Sequence, residues 1–197
     1  MTPVVLLVVA LSTERRALQG LLQERRLQPF RGRPAVRGRL AGRDTLLVQA
    51  GIGRDRARDT VASAAWEFDV EAAWSLGFAG ALGERLRPGD LVFPAAVLDE
   101  AEVGGVPLAA DYSHAVVCSA LRRASLPIDP GSLLTSPTIL RTPEAKRAAG
   151  RRSGAVAAEM EAAGVARAAR DLGIPWAALK AIVDAVDDPL PLSLAAC

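Results

Sequence analysis

Two apolar runs near the end of the chain each terminate in a carboxylate. Ala155–Ala158 leads into Glu159-Met160-Glu161, and Trp176–Val183 leads into Asp184. Between them lies an Ala-rich segment of helical character, stopped by Gly173 and Pro175. Carboxylates at the ends of apolar strands lie where open α/β folds bind ligands. An acid in the setting Ile182-Val183-Asp184-Ala185-Val186 is favoured in its protonated form, because an apolar surrounding penalises the charged one. That is the requirement for a general acid working near neutral pH.

Those runs need a scaffold, and the chain supplies one in alternating pieces. Val4–Ala10 is apolar on both faces, as in a strand covered by helices on both sides. Ser12 and Thr13 are candidate caps of the next helix, with Glu14 in its first turn and Leu18, Leu21 and Leu22 as its apolar stripe. Ala35–Leu40 and Thr45–Ala50 read as a hairpin, and Asp55–Trp66 as a helix entered through Gly51-Ile52-Gly53. A strand over Ala72–Leu76 is expected to end in a glycine-bearing turn, Gly77-Phe78-Ala79-Gly80-Ala81-Leu82. Arg87-Pro88-Gly89-Asp90 is a tight turn into Leu91–Pro94, and Asp99–Asp111 reads as loop. His114–Ala124 is helical, Gly131–Thr135 a short strand, and Thr142-Pro143-Glu144 opens another helix. Strands alternating with helices imply an α/β fold, and 197 residues with 50% hydrophobic content suffice for one well-cored domain over 1–197.

Composition excludes several classes. A net charge of +2 gives no general attraction to nucleic acid. Arg31, Arg33, Arg37, Arg39 and Arg43 alternate with small residues, as on the wet side of a hairpin; Lys146 and Lys180 are the only lysines. Val4–Ala10 is too short to span a membrane. Two cysteines, Cys118 and Cys197, without a CxxC pair indicate neither a disulfide scaffold nor a zinc site, and a reducing cytoplasm is expected. His114 and Cys118, four apart on one helical face, are read as structural rather than metal-binding. Gly51-Ile52-Gly53 is no dinucleotide fingerprint, because Arg56 occupies the third glycine position.

Four motifs in order resemble the purine nucleoside phosphorylase/nucleosidase superfamily. They are Gly51-Ile52-Gly53; Leu76–Leu82 with Pro88-Gly89-Asp90-Leu91-Val92; Ala158-Glu159-Met160-Glu161-Ala162; and Ala181-Ile182-Val183-Asp184. The branch of methylthioadenosine/S-adenosylhomocysteine nucleosidases, hopanoid-associated enzymes and futalosine hydrolases is the most similar. The resemblance implies a central mixed sheet flanked by helices, a homodimer, and a nucleoside substrate handled without metal or cofactor. It implies Asp184 as the acid that protonates the leaving purine, Glu161 as the ribose-hydroxyl anchor and Met160 as packing against sugar and base. Glu14 would activate the attacking water, although by itself a glutamate in a first helical turn complements the helix dipole. Ile52 and Leu11 would line the nucleoside and 5′-substituent region. Phe78 stands where the nucleosidases have serine, and Ile139 where an aromatic stacks on the base. Lys180 replaces an arginine that orients the ribose-binding glutamate, so Glu161 is its expected partner and Glu159 a bystander. Lys180 and Asp184 lie roughly 13 Å apart at ~3.3 Å per residue along a strand, too far to pair.

Phosphorylases of this superfamily carry a Gly-Asp-Pro-x-Arg-like loop after the first strand, with an Arg and a Ser or Thr at the second glycine motif. Here those places hold Leu11-Ser12-Thr13-Glu14, Ser75 and Phe78. The expected reaction is hydrolysis of the N-glycosidic bond of an adenine-type nucleoside carrying a 5′-substituent. Cleavage of an adenosyl-lipid in hopanoid synthesis and nucleoside binding without turnover stand as alternatives. Relatives continue beyond the Asp184 region into a helix over the substrate, whereas this sequence stops at Cys197. The resemblance therefore implies a lid from elsewhere, including a partner subunit, or a shortened chain.

Overall fold

The computed structural model describes residues 3–102, 107–111, 114–126 and 128–189. The His114 side chain and Cys197 lie outside the described residues, and Cys118 is buried. In chain order the elements are β1 (Val4–Val9), α1 (Ser12–Gln19), β2 (Gln23–Leu27), β3 (Ala35–Leu40), β4 (Arg43–Gln49), α2 (Arg54–Glu67) and β5 (Val70–Ala81). Next come β6 (Leu91–Val92), β7 (Ala96–Asp99), β8 (Leu108–Ala109), α3 (His114–Arg123), β9 (Ile128–Asp129) and β10 (Leu133–Thr135). α4 (Pro143–Ser153), β11 (Ala157–Glu159), α5 (Ala162–Asp171) and β12 (Trp176–Asp184) complete the fold.

The strands form one mixed sheet ordered β2-β3-β4-β1-β5-β11-β10-β7-β8, with β12 on β5 and β6, and β9 on β6. Helices cover both faces, as the doubly apolar β1 requires. Leu6 and Val8 of β1 enter the main core with α2 and α5, while Leu7 and Val9 pack with Leu18 of α1 and Leu47. Gly164 brings α5 against α2, since a Cβ there would lie 3.1 Å from Arg58 N and closer still to Arg54 O.

β5 is the hinge of the architecture, and it departs from expectation. It runs through the glycines without turning, parallel to β1 over Val70–Ser75 and to β12 over Ala73–Gly80, and antiparallel to β11 at Gly80 and Ala81. Pairing with β12 along one edge as far as Gly80, joined by β11 at Gly80 and Ala81, keeps Gly77–Ala81 extended where glycine spacing alone suggests a turn. α1 stops at Gln19, after Leu18 but short of the predicted Leu21 and Leu22, and Leu11 rather than Ser12 or Thr13 is its N-cap. β2 comes after it, exposed along its whole length. It pairs by backbone alone beside Gly38, whose missing Cβ would sit 2.7 Å from Gln23 O, so no side-chain alternation announces it. β8 likewise lies within the segment read as loop, pairing with β7 just ahead of that segment. Thr142 caps α4 as expected, its Oγ1 accepting from Ala145 N at 3.2 Å.

On the hairpin, Arg39 and Arg43 are exposed. Arg37 is half-buried, paired with Asp44 at 2.6 Å and stacked 5.5 Å from the Phe68 ring. No helix among the described residues is long and apolar enough to cross a membrane.

Candidate active site

The chain turns from β1 into α1 at Ala10 and Leu11, and Glu14 folds back over that turn. Its Oε2 accepts from Ala10 N (2.8 Å) and Leu11 N (2.7 Å), and its Oε1 from Phe78 N on β5 (2.8 Å). The bond to Leu11 N satisfies the N-cap amide as the glutamate of a capping box does, although Leu11 has no side-chain acceptor to return it. Glu14 is therefore no surface complement to a helix dipole; it is 5% exposed. Gly77, at φ +141°, makes the fit possible, because a Cβ on it would collide with the Glu14 carboxylate.

Asp184 reaches the same region from β12. The register against β5 slips between Ile182 and Asp184, so Val183 is an extra residue that bulges outward and re-aims the acid. Gly80 of β5 makes room for it, a Cβ there lying 2.8 Å from Asp184 Oδ2. Asp188, not Asp184, closes the turn beyond β12, accepting from Ala185 N at 3.0 Å. The ammonium of buried Lys146, on α4, is ion-paired with Asp184 Oδ2 and donates to Ala185 O (2.8 Å) and Asp188 O (2.6 Å). Burial raises the Asp184 carboxyl above its ordinary range; Lys146 pulls the other way and Asp188 adds a smaller upward push.

The third group comes from the β11–α5 junction. Glu161 is the N-cap residue of α5, and its Oε1 accepts from Gly53 N at 2.9 Å, which ties the Gly51-Ile52-Gly53 motif to the site. Burial, and then the neighbouring Glu159 charge, push its carboxyl up to about 7, with Lys180 and the Gly53 N–H opposing.

The pairing of Lys180 differs from expectation. Its Nζ lies 3.0 Å from Glu159 Oε2, so the buried ammonium has its counter-charge earlier in the chain than Glu161. Burial works against this ammonium, but the Glu159, Glu161 and Glu14 carboxylates outweigh it and raise its pKa. Glu159 is no bystander either: Thr135 Oγ1 donates to its Oε1 (2.6 Å), and Glu161 N and Ala162 N donate to its Oε2 (3.0 and 2.9 Å). Glu159, still on its strand, reaches the β12 lysine directly, whereas Glu161 is turned toward Gly53.

Leu11, Glu14, Ile52, Phe78, Ile139, Met160, Glu161 and Asp184 all line one cavity, together with Gly80, Ser136, Lys146 and Glu159. Lys180 does not line it and acts from behind, through Glu159. Sequence reasoning misses Lys146 and the two glycine recesses. A signal for the lysine exists: it is one of two lysines among 24 basic residues, spaced one helical turn from buried Ala149. Ser75 lies 0% exposed within the sheet, outside the cavity lining, and its Oγ has no hydrogen-bond partner among the described residues.

Known proteins resemble this chain in sequence and in fold. The 5'-methylthioadenosine/S-adenosylhomocysteine nucleosidase of Bacillus thuringiensis subsp. konkukian (strain 97-27) is 24% identical over 193 residues, covering 89% of this chain and 83% of that protein. The crystal structure of the 5'-methylthioadenosine/S-adenosylhomocysteine nucleosidase from Neisseria meningitidis in complex with methylthio-immucillin-A superposes with a TM-score of 0.85 at 24% identity. That match covers 93% of this chain and 87% of the other. Futalosine hydrolase of Helicobacter pylori strain 26695 gives a TM-score of 0.84 at 21% identity, covering 100% and 91%. Residues 4–194 match the model of the phosphorylase superfamily, and the chain belongs to that family.

Proposed function

We propose that the protein hydrolyses the N-glycosidic bond of an adenine-type purine nucleoside bearing a 5′-substituent. The observation that carries the reading is that two buried carboxylates from opposite ends of the chain, Glu14 and Asp184, line one cavity with Glu161. Breaking this bond builds positive charge on the sugar and negative charge on the departing base. Asp184, its carboxyl raised by burial, supplies the proton to the base. Glu161 accepts from the ribose hydroxyls, Met160 and Ile52 pack against the nucleoside, and Glu14 takes the proton of the attacking water.

Water rather than phosphate is favoured as the nucleophile by the position Glu14 occupies. The N–H groups of Ala10, Leu11 and Phe78 converge as an anion cradle would, and the chain's own carboxylate fills it. Ser75, which stands at the place of the phosphorylases' arginine, is uncharged and sealed inside the sheet, and Phe78 stands at the place of their hydroxyl. The names of the relatives support the same chemistry. An adenosyl-lipid substrate is a second reading, favoured by an apolar cavity rim: Phe78 and Val183 line the cavity yet are 36% and 39% exposed.

Incubation with methylthioadenosine, adenosylhomocysteine, inosine, futalosine and an adenosyl-lipid, with and without phosphate, tests both. Phosphate-independent release of free base is expected from at least one. Release from none, or nucleoside binding without product, overturns the proposal.

A further inference from the structure

The ammonium of Lys146 has three protons and three oxygen partners. Two are the carbonyls of Ala185 and Asp188, hydrogen-bonded at 2.8 and 2.6 Å, and the third is Asp184 Oδ2, which meets the ammonium as an ion pair and takes no hydrogen bond among the described residues. The lysine is 1% exposed, comes from a different element than the acid, and spends two of its three donors on the turn after β12. The ion pair is made to Oδ2, so one oxygen of the acid is held by the ammonium and Oδ1 is left for the cavity that Asp184 lines.

We propose that Lys146 is a positioning residue for the reaction: anchored on the turn after β12, its ammonium fixes Asp184 Oδ2 and thereby aims Oδ1 at the departing base. The proposal rests on Asp184 being the acid.

The same contact has an electrostatic consequence. The charged groups facing Asp184 are Lys146 from α4 and Asp188 from the turn beyond β12, with Glu14 and Glu161 elsewhere on the cavity wall. Lys146 is the cation among them that opposes the upward push of burial. Without it, Asp184 keeps its proton to higher pH. A lysine that merely filled space would not move that pH.

The test compares pH profiles of base release from methylthioadenosine for the full chain, Lys146→Met and Asp184→Asn. For Lys146→Met the expected result is a kcat lower by about 10- to 100-fold through misplacement of the acid, with KM within about threefold. Its alkaline limb moves up by about one pH unit. An unchanged kcat, or an alkaline limb that stays in place, overturns the proposal. Asp184→Asn separates the two claims: if it retains wild-type kcat, the reading of Asp184 as acid fails. If it is inactive while Lys146→Met is unchanged, only the role of Lys146 fails.

Lys146→Gln carries the same expectation should the methionine variant not fold. Independently of both, the two lysines give two side-chain ammonium signals in a nitrogen-15 spectrum. Asp184→Asn must displace one of them, and finding both in place overturns the clamp.

Discussion

Lys180 Nζ lies 3.0 Å from Glu159 Oε2, with 2% and 1% of the two side chains exposed. Neither charge has water to fall back on, and Glu159 also holds Glu161 N and Ala162 N at the start of α5. Removing one member of such a buried pair strands the other, at a typical cost of about 3–5 kcal/mol. Lys180→Met is expected to lower unfolding free energy by that order in urea titration. Adding Glu159→Gln to it should recover much of the loss, because the stranded charge is then gone. A single-variant cost below about 1 kcal/mol would show that the junction is held by other contacts.

The fold is legible where burial imposes a pattern and illegible where only the backbone decides. β1, apolar on both faces, and β12 are readable from apolar runs, α2 from the glycine motif that precedes it, and α4 from its Thr142–Pro143 entry. β2 escapes because its five residues are all exposed and pair through main-chain groups beside Gly38. In the cavity, Glu14, Glu161 and Asp184 are legible through motif order. The partner of Lys180 is not, because Glu159 and Glu161 are two residues apart and only the direction each side chain takes separates them. Lys146 is hidden for a related reason: Arg147, Arg151 and Arg152 make its helix read as a solvated one.

Stability should depend on pH through Glu161. Its carboxyl is held up at about 7 in the folded chain, against an ordinary value of 4.5. The folded state therefore binds a proton more tightly than the unfolded one, so this group's contribution is fully present below pH 4.5 and is lost as pH rises through 7. The loss is on the order of 3 kcal/mol at about 1.4 kcal/mol per tenfold in the ionisation constant. Glu161→Gln should flatten the fall in chemical-denaturation midpoint between these pH values. An equally steep fall in the variant would assign the effect to another group.

The recess at Gly80 makes a narrower prediction. A methyl group there meets Asp184 Oδ2 at 2.8 Å while the backbone needs no left-handed conformation, so Gly80→Ala displaces the acid without straining the strand. A shift of about 1 Å in a reacting group can lower turnover about 100-fold. Gly80→Ala is expected to fold, to bind nucleoside and to lose kcat by about that factor. Gly77→Ala adds strain at φ +141° to its collision with Glu14 and should also lower the melting temperature. Equal thermal losses in both variants would mean that the recesses serve packing rather than the placement of carboxylates.

The amide cradle around Glu14 yields the sharpest test of the nucleophile. With its carboxylate in place, three N–H groups are satisfied and no room is left for an external anion on them. Glu14→Ala removes the base and, at the same time, opens the cradle. Loss of general-base assistance should cost about 10²–10⁴-fold in hydrolysis. Buried amides left without acceptors attract an anion, so phosphate, arsenate or formate should bind the variant and not the wild type, detectable by calorimetry. If base release by Glu14→Ala is partly restored by formate, the carboxylate's role is proton acceptance. If phosphate accelerates the wild type instead, the cradle is open to it despite Glu14, and the enzyme is a phosphorylase.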